Sequence, residues 1–246
     1  TMPEGPSIVI LKELVAPFTG QRIVRVERNS RIDQRRLVGQ AVVAFRSWGK
    51  HFLVCCESVT LRVHFLLFGS YRINERKDSA PRLSLGFADG EINLYACSLR
   101  YIEGDLDAAY DWSADVMADA WNPRAARRKL LERPHSLVCD ALLEQDIFAG
   151  VGNIIKNEVL FRIRVHPESV VGALPSRKLG ELVRQAREYS FDFVAWKKDF
   201  VLKKHYQVHT KTICPRCGRR LQYRAHLGTK QRRSFFCDHC QKLYAD

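Results

Sequence analysis

Apolar residues recur at helical spacing over 5–18 (GPSIVILKELVAPF), where Ile8, Leu11, Val15 and Phe18 share one face and Ser7 stands at the expected cap. The spacing then shortens to two. QRIVRVE (21–27), QAVVAFR (40–46), HFLVCC (51–56), TLRVHFLLF (60–68), RLSLGF (82–87) and EINLY (91–95) read as strands, with ADGE (88–91) as a hairpin turn. These elements predict a small antiparallel β domain behind a leading helix. Helical spacing returns at 122–132 (NPRAARRKLLE), with Asn122 as cap and Pro123 in the first turn, and again at 136–145, 153–163 and 176–198. The tail reverts to short β-type segments. No apolar run approaches the roughly 18 residues of a membrane span.

Charge sharpens this picture. The 246 residues carry a formal net charge of +13, unevenly spread. An acidic stretch at 103–120 marks the junction between the β and helical parts. The last 46 residues hold 11 Lys/Arg against 2 Asp/Glu. A basic half of this kind attracts polyanions, and nucleic acid is the commonest. The start lacks a basic segment followed by an apolar one, so a cytoplasmic protein is expected. Of eight Cys, four (Cys55, Cys56, Cys97 and Cys139) are scattered in apolar runs, as buried free thiols of a reducing compartment would be.

The other four form two CxxC pairs, Cys214/Cys217 and Cys237/Cys240, nineteen residues apart. Two such knuckles complete a closed four-sulfur site, the geometry of one structural Zn2+. With no open coordination position, the ion would brace the hairpin at 219–236 and present its Arg and Lys residues. His226 and His239 are surplus to that site. A second signal is GVGN: Gly150 and Gly152 break one helix and Asn153 caps the next, a turn able to cradle phosphate.

PEGP at 3–6, GVGN-x-x-x-NE at 150–158 and the four-cysteine finger with QRRSFFC, in that order, resemble the formamidopyrimidine-DNA glycosylase/endonuclease VIII family, nearest its endonuclease VIII branch. The resemblance implies an α+β multidomain fold. It has an N-terminal β-sandwich with a leading helix (1–115), a helix–two-turns–helix domain (122–205) and a C-terminal zinc finger (206–246). It further implies a monomeric base-excision repair enzyme, bacterial and nucleoid-associated, acting on damaged duplex DNA. Such an enzyme removes oxidised bases, here pyrimidines, and nicks the strand by β,δ-elimination. Pro3 matches the nucleophile, Glu4 the acid/base carboxylate, and Lys50 the lysine that meets a phosphate and assists the leaving base. Asn153, with Gly152 before it, and Arg232, with Arg233 as its competitor, match the phosphate-gripping positions. Leu67, with Phe68 beside it, matches the wedge that fills the gap left by an extruded nucleotide. Each of these two also reads as a core-facing strand residue.

Three departures from the family pattern stand out. YACSLRYIEG (95–104) lacks an Arg-x-Phe pair, with Arg100 and Tyr101 as stand-ins, and 197–214 is short and free of Gly, unlike the base-covering loop of oxoguanine-specific members. Thr1 and Met2 precede Pro3. Read as a cloning remnant that blocks Met removal, they would leave the proline nitrogen an amide, without nucleophilicity. Two rivals stay open: a non-catalytic zinc-finger DNA-binding protein, and a zinc-ribbon RNA-binding factor.

Overall fold

The computed structural model describes residues 3–245; Thr1, Met2 and Asp246 lie outside the described residues, and with them the expectation about the Thr-Met extension. The chain divides after Tyr110 into two units, each built around its own core.

The first unit opens with α1 (Gly5–Val15). Its cap residue is Glu4, in extended backbone, and Ser7 lies inside the helix with its N–H donating to the Glu4 carbonyl at 2.9 Å. The cap expected at Ser7 is therefore three residues late. Pro6 has a preset φ and no N–H to satisfy, so the first turn forms around it. Ile8, Leu11 and Val15 are fully buried, each contributing about 1.5–3 kcal/mol. The helix stops at Val15 and continues as a 3-10 turn over Ala16–Phe18, because Pro17 cannot donate to the α ladder.

Six strands follow: β1 (Arg25–Arg28), β2 (Val42–Trp48), β3 (His51–Cys56), β4 (Thr60–Ile73), β5 (Leu83–Gly86) and β6 (Glu91–Ile102). They pair antiparallel in the order β1-β5-β6-β4-β3-β2. Hydrogen bonding is continuous. Yet Val26, Leu83 and Leu85 from one half share a single apolar cluster with Phe45, Phe52 and Val54 from the other, and with α1. The stretch before β1 also bridges to the one before β2, Arg22 with Ala41, so the sheet curls round that single cluster. β4 and β6 run past their apolar patterns and pair on both sides of a bulge in β4. Phe65 pairs with Cys97 and Ser70 with Tyr95, leaving residues 66–69 opposite Ala96 alone. A short helix, α2 (Leu106–Ala109), ends the unit.

In the second unit α3 (Pro123–Leu131) starts as its sequence requires, with the Asn122 side chain accepting from the N–H groups of Arg124 and Ala125 at 3.0 and 3.1 Å. The helix expected over 136–145 shrinks to α4 (Val138–Ala141). Val138 and Cys139 spend their N–H groups on the Ser169 and Pro167 carbonyls, and Leu142, Ile147, Phe148 and Val151 are all fully buried. Such all-round burial suits packed turns better than one helical face. α5 (Asn153–Arg162) and α6 (Ser176–Lys198) match their spacing, except that Gly152 is the cap and Asn153 the first helical residue. Arg162 clamps the pair, donating to Gln185 Oε1 and Asp192 Oδ2 while lying over the Tyr189 ring. A hairpin of β7 (Gln222–Leu227) and β8 (Arg232–Phe236) completes the unit. No helix among the described residues is long and apolar enough to cross a membrane.

Candidate functional site

In the first unit the start of α1 sets Pro3, partly accessible, beside Glu4, which is only 4% exposed. Pro3 is thus approachable in part, while the carboxyl group of its neighbour is held out of water. Lys50 sits in the two-residue turn between β2 and β3, whose flanking residues Trp48 and His51 pair across it. Its ammonium lies near enough to His64 to hold that imidazole's pKa down, after burial and together with Arg62.

His64 belongs to a group the sequence reading did not single out. The register His51–His64–Ser98 across β3, β4 and β6 puts both histidines on one sheet face, with Arg62 two residues along. The His51 and His64 rings are 5.1 Å apart, and His51 Nδ1 lies 2.9 Å from the Tyr110 hydroxyl. Burial, then Arg62 and His64, lower the His51 pKa to about 4, so its ring is neutral at pH 7. His64 Nε2 and Arg62 Nε are buried without hydrogen-bond partners. The signal was available: in LRVHF, Arg and His alternate with core-bound Leu, Val and Phe.

The bulge of β4 resolves how Leu67 and Phe68 are placed. Leu66, Leu67 and Phe68 are 48%, 62% and 74% exposed, so none faces the core. Phe68 takes left-handed backbone, φ 65°. Gly69 closes the bulge so tightly that a Cβ would meet Phe65 Cβ at 2.7 Å and the Ala96 carbonyl oxygen at 2.8 Å. Leu66 is an addition to the sequence reading. Tyr101 is otherwise engaged, its hydroxyl donating to the Asp33 carbonyl at 2.6 Å beneath Arg36.

In the second unit the GVGN turn is stapled by Gln145, which accepts from Gly150 N–H and donates to the Leu143 and Val151 carbonyls. Asn153 Oδ1 is buried without a partner. The next turn of α5 carries three buried polar residues that fix the hairpin. Lys156 Nζ donates to the Arg233 carbonyl at 3.0 Å and to Ser234 Oγ at 2.7 Å. Asn157 reaches His209 and Phe235. Glu158 accepts from the N–H groups of Gln207, Val208 and His209 at 2.9, 3.0 and 2.7 Å. At the hairpin tip Asp140 accepts from Thr229 and Lys230 N–H. Asn153 and the strand bearing half-buried Arg232 and exposed Arg233 are therefore tied to one helix.

The four Cys converge behind that hairpin. Sγ of Cys214 lies 3.8 Å from Cys240 and Sγ of Cys217 lies 3.6 Å from Cys237, with all four within 4.8 Å of one another. A tetrahedral ion bound at about 2.3 Å sets its sulfurs about 3.8 Å apart, so the cluster could hold one metal ion. His226 and His239 are exposed and outside the cluster. Cys56, Cys97 and Cys139 are buried, and Cys55 partly so.

Comparison with known proteins agrees along the chain. Residues 2–100 match the family model of the formamidopyrimidine-DNA glycosylase N-terminal domain, and 113–197 that of its H2TH domain. Endonuclease 8-like 3 of Xenopus laevis is 28% identical over 98% of this chain, but the match spans only 41% of the frog protein. The chain likewise spans about a third of the mouse and human proteins of that name. Formamidopyrimidine-DNA glycosylase of Carboxydothermus hydrogenoformans (27%) and endonuclease 8 2 of Mycobacterium bovis (28%) are matched over 98% of this chain and their full length. The Lactococcus lactis formamidopyrimidine-DNA glycosylase, solved non-covalently bound to DNA with an AP site, has a TM-score of 0.85 at 22% identity, covering 97% of this chain and 99% of that one. This chain belongs to the formamidopyrimidine-DNA glycosylase/endonuclease VIII family.

Proposed function

We propose that the protein is a bifunctional DNA glycosylase and AP lyase of base excision repair, acting on oxidised pyrimidines in duplex DNA. The observation that carries this reading is the partly accessible Pro3 next to a Glu4 that is 4% exposed, in a chain of this family. With Pro3 as the first residue its nitrogen is a secondary amine, about half neutral near pH 8. Its lone pair attacks sugar C1′ and breaks the bond to the damaged base, the amine's own proton passing to the departing base; Glu4 then protonates the ring oxygen as the C1′–O4′ bond opens to the iminium. The resulting iminium has a fixed positive charge and no N–H proton to lose. It acidifies C2′, so loss of that proton expels the 3′ phosphate, and a second elimination expels the 5′ phosphate. Lys50 meets a phosphate, and Asn153 and Arg232 grip others, Arg232 through its planar fork. Leu67 and Phe68 fill the space of the extruded nucleotide and restore part of its stacking. The four Cys fit a structural Zn2+ that stiffens the hairpin, with no part in bond breaking.

The test is a cleavage panel of duplex oligonucleotides carrying thymine glycol, dihydrouracil, 8-oxoguanine or an abasic site. Cleavage of the two pyrimidine lesions and the abasic site ahead of 8-oxoguanine is expected. Equal binding to undamaged DNA and no cleavage of any member would overturn the reading.

A further inference from the structure

We propose that the turn after α6 is a separate stacking site for an unpaired base of single-stranded DNA, with Phe200 as the platform and Lys203 and Lys204 as its cationic flank. Phe200 is 95% exposed and in left-handed backbone, φ 59°. Its N–H donates to the Lys197 carbonyl at 3.1 Å, and Val201 N–H to the Trp196 carbonyl at 2.9 Å. These two bonds close the helix by the motif whose left-handed position is usually glycine. A phenylalanine there is strained, and its ring, almost wholly in water, returns no burial to the fold. Both effects oppose stability. Phe68 is the other aromatic in left-handed backbone among the described residues, and it too is exposed.

The base of the turn is firm. Trp196 stacks on His205 with ring centroids 4.2 Å apart and planes 4° from parallel, and meets Tyr189 edge-on. Trp196 and Leu202 pack against the core of the unit. Between 197 and 205 there are four Lys and one acid, Asp199, with Lys203 and Lys204 exposed. Exposed lysines close in sequence to an exposed apolar ring suit a polyanion that offers π faces. A duplex hides those faces inside its stack, whereas a single strand presents them.

The test is anisotropy titration of the whole protein with a labelled oligothymidylate of about a dozen nucleotides. Phe200→Gly is expected to weaken binding about ten-fold while its thermal midpoint stays level or rises, since glycine suits the backbone. Phe200→Tyr is expected to keep the parent affinity, and Lys203→Ala with Lys204→Ala to flatten the salt dependence. A loss below about five-fold for Phe200→Gly, or an equal loss in Phe200→Tyr, overturns the proposal. Cleavage of abasic duplex is measured in parallel. Failure of the glycosylase reading would appear there and leave the oligothymidylate result standing.

Discussion

Glu158 is 1% exposed, and its carboxylate accepts three charge-assisted hydrogen bonds that hold residues 207–209 to α5. Oε1 accepts from Val208 and His209, Oε2 from Gln207. Burial raises the carboxyl pKa, and the three N–H groups and Arg162 offset part of that rise. Glu158→Gln keeps the volume but only one acceptor. If the remaining oxygen serves Val208 and His209, the new amide NH2 faces the Gln207 N–H, donor against donor. A bond to a charged acceptor is worth about 1.5–3 kcal/mol, and a buried unpaired donor costs about 1–3 kcal/mol. Removing a buried charge returns some of this, so the net loss should be about 2–3 kcal/mol. It falls on the finger, because Cys214 follows the segment within a few residues. Urea unfolding, with metal release followed by a chromophoric chelator, should show a lower midpoint and release beginning earlier than in the parent. A variant within about 0.5 kcal/mol of the parent would refute the anchoring role of Glu158.

Two further outcomes follow from the second unit. Gly228 has φ 70°, and a Cβ there would collide with both Asp140 carboxylate oxygens. Gly228→Ala should therefore lose about 2–4 kcal/mol in the same unfolding assay, through backbone strain and displacement of the Thr229 and Lys230 contacts, and a neutral result contradicts this. His209 is 2% exposed, and burial, with Arg233 and Lys156, lowers its pKa from 6.5 to about 4. Between those values the unfolded chain binds the extra proton. This contribution to stability is therefore intact above about pH 6.5 and falls by about 3 kcal/mol as the pH drops through 4. Urea midpoints should decline over that window and less steeply in His209→Gln; matching profiles would exclude His209 as the cause.

Long periodic elements were legible in the sequence. α6 was expected at 176–198 and spans Ser176–Lys198, and the Asn122 cap forms as read. The two CxxC pairs were legible because metal-ligand spacing is local. Less legible was whatever depends on cross-strand register. Nothing local in FLLFG announces that residues 66–69 face a single partner residue, so only the sheet decides between wedge and core for Leu67 and Phe68 and adds Leu66 to them. The pairing of His51 with His64, and the use of Lys156, Asn157 and Glu158 as supports for the hairpin, also join residues distant in sequence. The helix expected at 136–145 misled for a different reason. Its apolar density comes from all-round burial, which mimics helical periodicity without requiring a helix.

Attack of the Pro3 nitrogen on the sugar is read out by borohydride trapping on abasic duplex. Two preparations are compared, one beginning at Pro3 and one retaining Thr1 and Met2. A covalent protein–DNA adduct is expected with the first and none with the second. Equal trapping by both preparations, or none by the one beginning at Pro3, would contradict attack by that nitrogen.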